Sequence, residues 1–378
     1  MPADRRLALV TVLLAVLAGA CAQPAPAGPP TAPAPDQGAT PGRVERALAA
    51  LPRGWSELPP PPSTPFPDAV SVWTGTSLFL WGEPSSRPDP AGGAVFDPLT
   101  RRWRATSGTA LTPRSRAAGA WTGTEVLVWG GETVLGLFGD GVAYDPALDT
   151  WRGLPPAPIS ARTPVASAWT GRELLVWGSA DRGNLDTRDG AAYDPAADGW
   201  RPIAAAPFAL NQATSAWTGR ELLIVGSRLD GNNHARPPGT VGLAYDPAGD
   251  RWRVLPPVGL SPQASAVAWT GRELLAWDYE LRAAAWDPQD GRWRRLPDLP
   301  LDDAECYPRS AAAGWSVFAQ FCAGHALWDQ RTRRWSRVGH GFDLLATVVA
   351  AGPVFLFAGP TAGPAGPGPG RLLAYNPG

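Results

Sequence analysis

Few residues in this chain could do chemistry, and they are widely spaced. The 378 residues include no Lys, which excludes a Gly-rich phosphate loop of the kind that needs one. The three His stand at positions 234, 325 and 340, so a three-His zinc site would require all of them to converge. Gly-x-Ser-x-Gly, His-Glu-x-x-His and Cys-x-x-Cys are missing, leaving the common hydrolase and zinc motifs without support. The stretch from Asp181 to Asp189 carries acidic oxygens, but it lacks the Gly and terminal Glu of an EF-hand loop and reads as solvated loop charge. No metal and no cofactor is expected. With 33 basic and 34 acidic side chains, a formal charge of −1, the chain also lacks the basic footprint of a nucleic-acid binder.

The elements that would have to position such residues show in the 19 Trp. Trp-Thr-Gly recurs at Trp73, Trp121, Trp169, Trp217 and Trp269, a period of about 48 residues that signals a repeated supersecondary unit. Each copy continues into an apolar run, such as Val126-Leu127-Val128-Trp129, and then into an aromatic-Asp-Pro signature, such as Tyr144-Asp145-Pro146. A further Trp stands seven residues past each of these aromatics, at 103, 151, 200, 252 and 293. Two worn copies follow, one through Trp328-Asp329 to Trp335 and one ending at Tyr375-Asn376-Pro377. The last copy stops before its closing Trp, and Gly54-Trp55-Ser56-Glu57-Leu58 supplies the matching segment. The expectation is an all-β chain: a seven-bladed β-propeller of four-stranded antiparallel blades, closed by the strand around Trp55. Trp315 alone falls off the pattern.

The units resemble kelch repeats, in which an apolar strand ends at Gly-Gly and is followed by a spaced Tyr and Trp, over roughly residues 52–378. Only Gly130-Gly131 keeps the doublet, and Trp277-Asp278 keeps neither Gly. The resemblance extends to secreted bacterial lipoproteins with repeats of the galactose oxidase superfamily architecture. It raises two enzymes: a copper radical oxidase, for which no His pair is suitably placed, and a kelch-type sugar mutarotase using Arg and Glu near the channel.

The N-terminus reads as an address. Arg5 and Arg6 precede the apolar run Leu7 to Leu17, which is too short to span a membrane as a mature helix. Leu17-Ala18-Gly19-Ala20-Cys21 resembles a bacterial lipobox, implying lipidation at Cys21, with an ordinary secretory signal as the alternative. The expected organisation is a signal peptide over 1–20, a Pro/Ala-rich tether with a possible short helix over 21–51, and the propeller over 52–378. This places the protein outside the cytoplasm, lipid-anchored to the bacterial cell membrane and touching the membrane only through its anchor.

In a four-stranded blade, the turns between strands one and two and between strands three and four share one face. Here those are the repetitive Trp-Thr-Gly and Asp-Pro turns, and the loops of varying chemistry occupy the other face, where binding tends to reside. Near the channel mouth the candidates are Arg114, Arg116, Arg162, Asn211, Gln212, Gln263, Arg309 and Asp343, and in the two most polar loops they are Arg182, Asp186, Arg228, Asn232 and His234. Four Arg among the first eight favour an anionic or polyhydroxylated ligand. Pro113-Arg114 also matches the Pro-Arg that opens kelch units, which favours a structural role there. With Ala313-Gly314 as a hairpin turn, Cys306 and Cys322 fall one residue off direct opposition, and a disulfide between them is expected in this oxidising compartment. The functional expectation is a monomeric binding module for an envelope glycan or a protein partner, with a carbohydrate-active enzyme at the channel mouth as the alternative.

Overall fold

The computed structural model describes residues 40–62, 68–82, 93–178, 187–229, 235–261, 266–302, 309–321, 324–339, 346–363 and 366–378. These form seven four-stranded antiparallel sheets. Blades 1 to 6 span residues 70–105, 118–153, 166–203, 210–255, 266–296 and 309–338. Blade 7 takes three strands from residues 347–376 and its fourth from Gly54–Leu58, which pairs with Gly366–Asn376 and sets Trp55 opposite Tyr375. The innermost strands touch one another in order around the ring, and that of blade 1, Val70–Trp73, meets that of blade 7, Thr347–Ala351. The protein is therefore a closed seven-bladed β-propeller, in which each blade keeps only a short inner and outer edge.

Each conserved spacing within the repeat has a local cause. The aromatic and the Trp seven residues later are cross-strand partners: Phe96 with Trp103, Tyr144 with Trp151, Tyr193 with Trp200, Tyr245 with Trp252 and Trp286 with Trp293. In the Trp-Thr-Gly turns the Thr hydroxyl accepts the N–H three residues on, as from Glu125 to Thr122 at 2.9 Å and from Glu173 to Thr170 at 2.8 Å. The following Gly takes a positive φ, 106° at Gly123, which a side chain disfavours. In the aromatic-Asp-Pro turns the Asp carboxylate accepts the N–H two residues on, as at Asp145 and Asp194.

The core lies in the seams between blades rather than within any one blade. Seven apolar clusters occupy the seven seams. The second strands are buried on both faces, so Trp81, Trp129, Trp177 and Trp277 are nearly inaccessible. The outer-strand Trp residues staple neighbours together through their N–H groups. Trp103, Trp151, Trp200, Trp252 and Trp293 donate at 2.7–3.0 Å to carbonyls of Pro59, Ser107, Pro155, Ala204 and Pro256, each just past the outer strand of the preceding blade. Trp55 does the same to Gly339. Each of these six fills a seam and satisfies its own N–H there, whereas Trp81, Trp129, Trp277, Trp286 and Trp335 fill seams with no acceptor for theirs among the described residues.

A nine-residue helix, α1 (Pro41–Ala49), precedes the closing strand. Such a length is marginal alone, and the helix is held by Val44 and Leu48, one turn apart and buried in the seam between blades 7 and 1. The folded part thus begins before residue 52. Asn376 completes the attachment, its Nδ2 donating to Leu51 O at 2.7 Å and to Ala49 O at 3.4 Å. Its Oδ1 accepts from Gly378 N at 3.0 Å, the role the Asp plays in the other blades. An Asp could accept but not donate, which accounts for Asn at this one copy. The compact unit runs from Ala34 to Gly378, and every core cluster lies inside it.

One register differs from the sequence reading. In blade 6 Ala313 pairs with Ser316, so the hairpin turns at Gly314-Trp315, one residue later than expected. Cys306 and Cys322 lie outside the described residues, as do Cys21 and the proposed signal peptide.

Candidate functional site

The inner strands run from the loop face to the turn face, so their first residues ring the loop-face mouth of the channel. A cavity of about 380 Å³ opens there, lined by Ser71, Gly119, Thr214, Arg309, Ser310 and Thr347 among others. Small residues recur at this wall because neighbouring inner strands crowd together. A Cβ on Gly119 would stand 2.5 Å from Val70 Cγ1. The wall is rich in hydroxyls: Ser71 Oγ and Thr347 Oγ1 share a hydrogen bond of 2.9 Å, and Ser310 Oγ donates to Val267 O at 2.7 Å.

Arg309 supplies the charge in this wall. Its Nη2 donates to Asp68 Oδ1 at 2.5 Å, across 241 positions of sequence. Its Nε is buried with no acceptor among the described residues, and an unused buried donor is costly unless something occupies it. The Arg309 and Asp68 side chains remain 26% and 38% exposed, so the pair is reachable from the cavity. Because Asp68 already neutralises Arg309, a strong anion would have to displace it. A neutral polyhydroxylated ligand would not, since its hydroxyls can donate to Asp68 and accept from the exposed part of the Arg309 side chain without breaking the pair.

The other candidates separate into distinct roles. Arg114 and Arg162 have fully buried side chains and spend their donors within the seams. Arg162 donates from Nη1 and Nη2 to the Asp189 carboxylate at 2.9 and 3.0 Å, and from Nε to Ser160 O at 2.9 Å. Arg114 repeats the arrangement with Asp140 at 2.5 Å and Thr112 O at 2.8 Å, and its guanidinium lies 3.7 Å over the Phe138 ring. Arg162's hydrogen bonds hold the Asp189 carboxyl below the usual carboxylate range, and for Asp140 burial pushes upward but Arg114 outweighs it. Both arginines bind the chain entering a blade to the start of that same blade's third strand, and neither side chain is presented to the channel.

Blade 5 solves the same seam with charges exchanged. Asp278, fully buried in the place of the expected Gly, accepts from Ser261 N at 2.7 Å and from the Arg282 guanidinium at 2.7 and 2.9 Å. The lost Gly is thus replaced by a carboxylate that takes over the clamp.

Arg116 is half-exposed on the loop face and pairs with Glu132 at 2.9 Å, which fixes the base of a short hairpin, Glu132–Thr133 with Gly136–Leu137. The hairpin tip carries Val134 and Leu135, 78% and 93% exposed. Asn211 and Gln212 form a β-bulge on the inner strand of blade 4, Gln212 with φ 47° and its N–H bonded to Asn211 Oδ1. Arg228 is exposed, with its guanidinium 4.6 Å from the Phe208 ring. Gln263, Asp343, Arg182, Asp186, Asn232 and His234 lie outside the described residues. Among the described residues no cluster of His, Cys, Asp and Glu is arranged to hold a metal ion.

Sequence reasoning found Arg309 but missed Asp68 and the hydroxyl wall. Part of that wall was legible in the small residue two places before the Trp of four of the five Trp-Thr-Gly copies, Ser71, Gly119, Ser167 and Ser215, with Val267 in the fifth. Asp68 carried no such signal, because only ring closure brings it to Arg309. No protein-family model matches the chain, and no curated protein matches it either.

Proposed function

We propose that this protein is an extracytoplasmic binding module of the kelch type, tethered by a lipid on Cys21, which takes up a glycan of the cell envelope at the loop-face mouth of its channel. The observation that carries this reading is the neutral, partly exposed Arg309–Asp68 pair in a wall of hydroxyls. Such a wall offers paired donors and acceptors to a ligand with many hydroxyls, and it asks for no net charge in return. The test is a screen of envelope-type oligosaccharides against the full chain, followed by calorimetry on Arg309→Gln and Asp68→Asn. Each variant should weaken binding about tenfold or more, the worth of a hydrogen bond to a charged group. Full affinity in both variants would refute the site. Accelerated exchange of the bound sugar's anomers would instead support the mutarotase alternative.

A second reading has its own support. Val134 and Leu135 at the tip of an ion-paired hairpin form a small apolar knob, better suited to a pocket on a partner protein than to a sugar. Pull-down with the full chain that is lost on Leu135→Asp, while glycan binding persists, would support that contact.

A further inference from the structure

Trp315 breaks the repeat and also breaks the rule that Trp residues here pack into seams. It sits at the apex of the first turn of blade 6, 62% exposed, where blade 7 has Gly352-Pro353 and the other blades turn through Thr-Gly. Its neighbours are cationic. The second turn of the same blade abuts it, with Gln330 N donating to Trp315 O at 2.9 Å and Gln330 Nε2 to Gly314 O at 3.2 Å. That second turn carries Arg331, Arg333 and Arg334, all exposed. The one acid of the turn, Asp329, accepts the N–H groups of Arg331 and Thr332 and lies 3.5 Å from Arg331 Nε, while Arg333 Nη2 stands 3.8 Å from Glu273, a carboxylate that Arg294 also engages, so cations outnumber acids at this corner.

The position of the corner adds an independent observation. Helix α1 lies on the same face: the turn glycine of blade 7, Gly352, packs against Glu45, and that of blade 1, Gly75, against Pro41. Helix α1 therefore sits on the turn face, against blade 7, the neighbour of the blade that carries Trp315. The helix contributes two further exposed cations there, Arg43 and Arg46.

We infer that the blade 6 corner, Trp315 with Arg331, Arg333 and Arg334, docks on an anionic lipid surface. An indole at headgroup depth flanked by guanidinium groups is the chemistry of an interfacial anchor. Charge complementarity selects anionic over zwitterionic lipid. The corner would hold the turn face toward the membrane and direct the channel mouth outward. The inference is independent of the channel reading and stands if the channel binds no sugar.

The test uses residues 34–378, which contain the whole described core, so that neither acyl chain nor leader contributes. Partition is measured by sedimentation with phosphatidylcholine vesicles and with vesicles carrying phosphatidylglycerol. Binding should require the anionic lipid and fall about fivefold for each Arg neutralised, hence about 100-fold for the triple Gln variant at low salt. Trp315→Phe should weaken partition and abolish the part of the fluorescence quenched by brominated lipid. Arg172→Gln with Arg220→Gln, exposed arginines on blades 3 and 4, should change partition less than twofold. Unchanged melting of every variant checks the fold. Equal loss in the blade 3 and 4 variant, equal binding to neutral vesicles, or no loss in the triple variant would each overturn the inference. Tighter binding of an RNA duplex than of anionic vesicles would overturn it in favour of a nucleic-acid surface.

Discussion

Asn376→Asp exchanges one amide for a carboxylate of the same shape and should separate donation from acceptance at the ring closure. The residue is 7% exposed, so solvent cannot take over what the side chain loses. The Asx turn survives, because a carboxylate oxygen still accepts from Gly378 N. The donation to Leu51 O at 2.7 Å is lost, at a cost of about 1 kcal/mol. A charged oxygen then faces the carbonyls of Ala49 and Leu51 at the C-terminal end of α1, adding about 1–2 kcal/mol through desolvation and the helix dipole. The sum is about 2–3 kcal/mol. For a unit of this size the entropy of unfolding is about 0.7 kcal/mol per degree, giving a fall in Tm of about 3–4 °C at pH 7. The sign with pH follows from linkage. The new carboxyl at 376 has its folded pKa raised by carbonyl neighbours, so the variant keeps its stability below the unfolded value of about 4 and loses it as pH rises through the folded value. Melting curves for both proteins at pH 4 and pH 7 give the measurement. A variant that melts within 1 °C of the parent at pH 7, or whose deficit grows toward pH 4, would refute the role assigned to the Asn376 amide.

Two further outcomes follow from the seams. Trp55→Ala should cost about 3–4 kcal/mol, the lower range for a Trp truncation because the ring is half-buried, whereas Trp315→Ala should stay within about 0.5 kcal/mol; denaturant midpoints of the two variants side by side give the comparison. Arg162→Ala should cost about 2–3 kcal/mol at neutral pH, below the usual figure for breaking a buried pair because the Asp189 side chain is 50% exposed. Asp189 has its folded pKa lowered, chiefly by Arg162's hydrogen bonds, so its contribution is present above the unfolded value of about 3.9 and lost as pH falls through the folded one. The Arg162→Ala protein should therefore show a shallower loss of stability below pH 4 in a urea titration, and an unchanged acid slope would remove Asp189 from the account.

The readable features are those that local geometry enforces in every copy. A Trp seven residues after an aromatic is a cross-strand pair in blades 1 to 6 because a short turn leaves the register no freedom. Thr before Gly and Asp before Pro are read the same way, since each side chain bonds the backbone two or three residues on. The missing seventh Trp pointed to Trp55 because a four-stranded unit with three strands is incomplete. Arg114 and Arg162 show where such reading stops. They stand in repeat-equivalent positions, and nothing local distinguishes a guanidinium that lines a channel from one folded back into a seam. Their partners, Asp140 and Asp189, are 26 and 27 residues away, and only the folded blade brings the start of its third strand to the entering chain.

The same division separates architecture from site. Number of blades, strand order within a blade, turn chemistry and the identity of the closing strand all follow from short-range patterns repeated along the chain, because hydrogen-bond register and side-chain alternation act over a few residues. The pairing of Arg309 with Asp68 and the seat of α1 in the last seam depend on which residues the closed ring brings together from opposite ends of the chain. Those contacts are set by a volume constraint: seven wedges must fill a circle with no gap left open, and the residues that meet at its closure have no reason to be neighbours in sequence.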